Sequence, residues 1–225
     1  MPNSSAHSRP AEPHSVPFTM GAIVLIVSMV GLSATYVLTS LLPRPQWPEL
    51  PRMDGPRIER TLVGKKLSIP ASWLRDNAPA DEGFASSVDL ELTLPLGKAA
   101  ALSPIEVTLL PLSQVRPSAN LLDGVYLHAF MPDQLSGPSG LIGKPLDGTD
   151  GFQDETVWYD PLSPNPFVAK CSSPPAGQTG PARCLRTVGL TGGIAAVYGF
   201  SADVLDNWRQ FDPELKSWLG RIGAN

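Results

Sequence analysis

The spacing of apolar and polar positions changes three times along this chain. From Phe18 to Leu42 the run FTMGAIVLIVSMVGLSATYVLTSLL holds 25 residues without a charge. About 20 apolar residues span a bilayer core, so the run predicts a transmembrane helix with room for some tilt. A cleaved signal peptide would carry a shorter apolar region and end on a small-x-small site. Leu32-Ser33-Ala34 is a poor site of that kind, and apolar residues continue beyond it. The reading is an uncleaved signal-anchor. Within it Gly31, Thr35 and Thr39 lie four apart, with Ser28 one turn earlier. Small residues at that spacing let helices approach closely, so they form a candidate packing face for another membrane helix.

The second spacing is strict alternation. Val88, Leu90, Leu92 and Leu94 alternate with Asp89, Glu91 and Thr93, and Ile105, Val107 and Leu109 with Glu106 and Thr108. Each predicts a strand with one wet face. Val125–Phe130, Glu155–Tyr159 and Phe167–Cys171 are further expected strands, and residues 58–69 are expected to add one more. Ala71–Arg75 is expected to form a short helical turn. Cys184–Leu190 and Ile194–Phe200 flank Thr191-Gly192-Gly193, which reads as a hairpin. The third spacing is helical. Ser201 is placed to cap a helix containing Val204, Leu205 and Trp208, and Asp212-Pro213 to restart one. Leu215, Trp218, Leu219 and Ile222 then form a single apolar stripe, expected to dock on the sheet. Strands followed by helices predict an α+β fold. The expectation is an N-terminal transmembrane helix, then a mainly antiparallel β-sheet or sandwich domain with C-terminal helices at about 201–222.

Four segments follow from this. Residues 1–17 read as a disordered tail, 18–42 as the membrane helix, 43–56 as a proline-rich spacer and 57–225 as the β-rich domain. The spacer, PRPQWPELPRMDGP, has prolines at 43, 45, 48, 51 and 56. At ~3.1 Å per residue in polyproline II it reaches roughly 40 Å. Its Trp47 suits a membrane interface.

Charge decides partners more than fold. The net charge is -4 with 17% charged residues, and Lys and Arg form no basic patch, which sets nucleic acid aside. Orientation is contested. Arg9 alone precedes the membrane run, whereas Arg44, Arg52, Arg57, Arg60, Lys65 and Lys66 follow it. The positive-inside rule would leave the C-terminal part in the cytoplasm, but the rule weakens for a long following domain.

The two cysteines, Cys171 and Cys184, arbitrate. They bracket CSSPPAGQTGPARC, a proline- and glycine-rich loop. No C-x-x-C marks a redox couple. A structural zinc needs four ligands, and the domain holds these two thiols and one histidine, His128. A structural disulfide is favoured over two unrelated buried thiols. Closing such a loop is worth ~3 kcal/mol in the chain-entropy model. It also implies an oxidising compartment, which places the domain outside the cytoplasm.

Candidate chemistry is sparse. His128 is expected on a strand, and no G-x-S-x-G accompanies it. Asp147, Asp150, Asp154 and Glu155 cluster in LDGTDGFQDE. Clustered oxygens suit calcium, but EF-hand spacing is not met: the twelfth position from Asp147 is Trp158. A solvated loop is the default and a weak ion site the alternative.

Residues 167–212, FVAKC…CLRTVGL…GIAAVYGFSADVLDNWRQFD, resemble single-pass, membrane-anchored envelope proteins of Gram-negative bacteria. In these a Cys-bearing hairpin precedes a Y-x-F…W pattern and a terminal helix; the matching aromatics are Tyr198, Phe200 and Trp208. The resemblance implies architecture and location, and no activity. The expectation is a non-enzymatic inner-membrane protein, single-pass, with a periplasmic domain. That domain would bind a protein partner in the membrane or envelope, or stabilise a membrane complex. No cofactor and no metal are expected. The alternatives are a membrane-anchored hydrolase acting on envelope material and a small-ligand or calcium-binding module.

Overall fold

The computed structural model describes residues 27–29, 55–75, 83–97, 100–151, 153–174, 177 and 179–225. The chain divides into two compact units, Met1–Trp47 and Pro48–Asn225. Of the first, Val27, Ser28 and Met29 are described and are helical. The rest of the 18–42 run, with Gly31, Thr35 and Thr39, lies outside the described residues, as does most of the spacer. Among the described residues no helix is long and apolar enough to cross a membrane.

The second unit holds two sheets. The smaller contains β1 (Arg57–Leu62), β2 (Lys65–Pro70) and β3 (Gly83–Phe84), in the order β2-β1-β3. Residues 58–69 thus form a hairpin rather than one strand. Its two-residue turn places Val63 at φ 53° and Gly64 at φ 77°. Positive φ at both central positions is a type I′ requirement that Asn-Gly normally meets. A β-branched residue at the first position hides the turn from the sequence. A 3-10 turn at Ala71–Trp73 follows, as expected.

The larger sheet has seven strands. They are β4 (Val88–Leu96), β5 (Ala101–Pro111), β6 (Ile142–Pro145), β7 (Glu155–Tyr159), β8 (Val168–Ser172), β9 (Arg183–Gly189) and β10 (Ile194–Ser201). Their order is β4-β5-β10-β9-β8-β7-β6, and every pairing is antiparallel. Alternation selects the inner face: Leu90, Leu92, Leu94, Ile105, Val107 and Leu109 are fully buried.

Two helices serve the two faces. The short α1 (Ser118–Gly124) and a 3-10 turn at Tyr126–His128 cover the outer face near β7 and β8. There Leu122, Tyr126, Val157 and Val168 form a small cluster. The expected strand at Val125–Phe130 is therefore helical; its VYLHAF pattern alternates too weakly to compete with the preceding helix. On the inner face, a 3-10 turn at Ala202–Asn207 leads into α2 (Trp208–Arg221). Leu215, Trp218, Leu219 and Ile222 are all buried, as the stripe requires. The helix does not restart at Asp212; it runs unbroken through Pro213. Phe211 is the central knob: its ring lies 4.6 Å from Phe200 and 5.7 Å from Tyr198.

Cys171 and Cys184 sit directly opposite each other on β8 and β9 and form a disulfide, with Cα atoms 3.9 Å apart. Both are buried. The bridge closes the loop of 13 residues' separation at its base. The double substitution Cys171→Ala with Cys184→Ala is expected to lower unfolding free energy by ~3 kcal/mol. Urea denaturation of the oxidised protein and the double variant measures this; equal midpoints would make the bridge energetically idle.

Candidate functional site

The strongest chemical feature of the domain lies where two strands part company. β8 and β9 pair only through Lys170↔Leu185, Cys171↔Cys184 and Ser172↔Arg183. β9 continues to Gly189, but β8 has peeled away. Two side chains replace the missing ladder. The Thr187 N–H donates to Ser118 Oγ at 2.8 Å, and Ser118 is the buried first residue of α1. The Val168 carbonyl accepts from Arg186 Nη1 at 3.0 Å.

Arg186 is buried, 6% exposed, on the inner face. A buried guanidinium needs a countercharge and full hydrogen bonding. Asp212 supplies the countercharge and two of the bonds: Arg186 Nε donates to Oδ1 at 3.0 Å, and Nη2 donates to Oδ2. The guanidinium also lies 4.3 Å from the centroid of Phe167, whose other neighbours are Trp208 and Phe211. Asp212 can do this because α2 starts five residues earlier than the Asp-Pro pattern suggests, with Asn207 rather than Asp212 at its cap position. Its carboxylate faces the sheet instead of capping the helix.

Tyr198 stands beside Arg186 on β10. Burial, reinforced by the Asp212 charge, pushes its phenol far above the ordinary value, against a smaller pull from Arg186. It therefore stays protonated near neutral pH. These groups line an open cleft of ≈ 420 Å³ together with Gly189, Thr191 and Lys216. The cleft offers fixed charge and hydrogen bonding, which suits binding.

A second charged cluster occupies the outer face. Arg75 Nη2 meets Glu106 Oε2 at 2.6 Å, and Arg183 Nη2 reaches the same oxygen. Partial burial pushes Glu106 up, but the two guanidiniums together outweigh it and hold the carboxyl below its ordinary value. Arg183 has to cross β10 to get there, and it does so over Gly199: a Cβ at that position would lie 3.0 Å from Arg183 Nη2.

The acidic loop is arranged differently. Asp147 accepts from Thr149 N at 2.9 Å and from Thr149 Oγ1 at 2.8 Å, bonds that lower its carboxyl. Glu155 accepts from Lys170 at 2.6 Å. Asp154 and Glu155 line a shallow cleft of ≈ 480 Å³ with Gln153 and Ser173. Asp150 ends the Gly148–Asp150 turn, and its side chain lies outside the described part. Two of the four carboxylates are thus committed to local partners. Among the described residues no group of three or more His, Cys, Asp or Glu is placed to hold a metal. His128 is exposed at the end of its 3-10 turn. Ser28 is exposed on its helical segment.

No protein-family model matches the chain, and no curated protein matches it either. Two solved structures match the chain. One is an immunity protein of the Stenotrophomonas maltophilia type IV secretion system: 12% identity, TM-score 0.50, covering 79% of this chain and 98% of that one. The other is the iron-regulated outer membrane lipoprotein FrpD of Neisseria meningitidis: 11% identity, TM-score 0.45, covering 77% of this chain and 97% of that one. At such identity the first likeness is one of fold.

Two outcomes test the charge assignments. Asp212→Ala leaves Arg186 buried without its countercharge and is expected to cost ~3 kcal/mol, less than that if the exposed side of Asp212 is already screened. The double change Asp212→Leu with Arg186→Met is expected to recover most of the loss in the same urea titration. A double variant no better than the single would show that the pair does not act as a unit. Glu106 has a depressed folded-state pKa, so its contribution is present above the ordinary value of 4.5 and is lost as pH falls below it. The stability gap between the wild type and Glu106→Gln is therefore expected to narrow between pH 5 and ~3. A gap that is constant over that window would exclude the ion-pair origin.

Proposed function

We propose that this chain is a single-pass, membrane-anchored envelope protein whose β domain lies outside the cytoplasm and binds another protein. The observation that carries the binding reading is the parting of β8 and β9. It leaves strand edge beside an open cleft, in a sheet otherwise stapled at that point by a disulfide. Sheet edges left free next to a cleft are natural docking points for a second chain.

The address rests on two supports. The uncharged run Phe18–Leu42 is long enough to anchor the chain. The Cys171–Cys184 bridge belongs to an oxidising compartment, which overrides the weak charge count around the anchor.

The test has two arms. A topology reporter fused after Asn225 is expected to be active in the periplasm and silent in the cytoplasm. Purification in mild detergent is expected to retain a stoichiometric protein partner, which Asn165→Trp at the cleft mouth releases. Recovery of the wild-type chain alone from its native cells would overturn the binding reading, and a cytoplasmic reporter would overturn the address.

A further inference from the structure

We infer that the cleft receives an extended segment of the partner protein, which adds to the open edge of β9 and sets a carboxylate beside Lys216. This rests on the binding reading above and names the chemistry of the occupant.

The backbone supplies the first half of the argument. In an antiparallel strand, a residue's N–H and C=O point to the same side, and successive residues alternate. Thr187 N–H points away from β10, toward Ser118. The register pairs Thr187 with Val197 and Gly189 with Ala195, so Gly189 shares its direction. The Leu190 N–H, one residue on, bonds back to Ile194 as that alternation requires. Thr187 C=O and both polar groups of Gly189 therefore face the side that β8 has left. Gly189 is exposed and has no side chain to obstruct an approaching chain. An extended segment can pair there with two or three backbone hydrogen bonds, the usual basis of strand addition.

Charge supplies the second half. Arg186 is matched by Asp212 within the cleft. Lys65, at the far rim, is engaged by the main-chain oxygen of Asn225 at 2.7 Å and by Thr191 Oγ1 at 3.0 Å. Lys216 lies one helical turn beyond Asp212, is exposed, and has no ion-pair partner among the described residues. The cleft thus carries one uncompensated positive charge. An acidic side chain or a terminal carboxylate on the segment complements it.

The experiment uses the full chain in its native cells, with photoreactive benzoylphenylalanine in place of Thr191 or, on the outer face, of Leu185. The Thr191 probe is expected to form an adduct, and mass spectrometry of the joined peptide is expected to show Asp, Glu or a chain terminus within about three residues, the reach of a strand-paired segment. Lys216→Glu and Gly189→Pro are each expected to reduce the adduct about tenfold, the first by charge reversal and the second by removing one edge N–H. Lys216→Arg and Gly189→Ala should leave it intact; a Cβ at Gly189 meets only Leu112, at 3.7 Å. Trypsin resistance and an oxidised Cys171–Cys184 pair check that each variant folds. If Gly189→Pro fails that check, the Lys216 pair decides alone. An adduct indifferent to Lys216→Glu, or joined to a segment without a carboxylate, overturns the inference. Adducts from Leu185 only would overturn it while leaving protein binding intact, and none from either position would overturn both.

Discussion

A seven-stranded sheet has an inner face wider than one helix can cover. Six spacings at ~4.8 Å put the outer strands about 29 Å apart. The helix α2 has 14 residues, so it is about 21 Å long and roughly 10 Å wide. The rest of the apolar face must find other cover, and much of the fold's arrangement answers that need. The β1–β2 hairpin and Trp73 close the β4–β5 end, and Trp73 meets Trp218 of α2 at 5.6 Å. The middle belongs to Phe211, set among Tyr198, Phe200 and Phe167.

The cleft lies where that cover runs out. Beyond the disulfide, β8 turns away from β9 and the helix has already presented its apolar stripe elsewhere. Burying an arginine there is costly unless its charge and its donors are met. Asp212, the Val168 carbonyl and the Phe167 ring meet them. The same residues hold the gap open: with Arg186 bonded to Val168 and Ser118 bonded to Thr187, β8 cannot re-pair with β9 past Leu185. The disulfide fixes where the strands join, and the arginine fixes where they part.

Much of this sheet was legible before any coordinates. Alternation marked β4 and β5, the glycine-bearing loop marked the β9–β10 hairpin, and the helical stripe marked the buried side of α2. What escaped did so for local reasons. Val63 in a left-handed turn conceals a hairpin that Asn or Asp would have announced. The helix Ser118–Gly124 is only seven residues long and makes sense only as cover for β7 and β8. Strand β6 has four residues, two of them Gly143 and Pro145, and no periodicity to detect.

The site was less legible, and the reason is instructive. The sequence drew attention to clustered carboxylates and to a lone histidine, because those residue types carry chemistry by themselves. The acidic cluster instead resolves into a turn cap at Asp147 and an ion pair at Glu155. Arg186 left a signal of another kind: in CLRTVGL it takes an inward position between Cys184 and Val188. A charge on the buried phase of an alternating strand demands a partner, whatever its identity. That partner, Asp212, is 26 residues away, in a dipeptide that reads as a helix start. Local pattern can therefore reveal that a buried charge exists. Only the packing of α2 on the sheet reveals which carboxylate answers it, and so where the cleft must open.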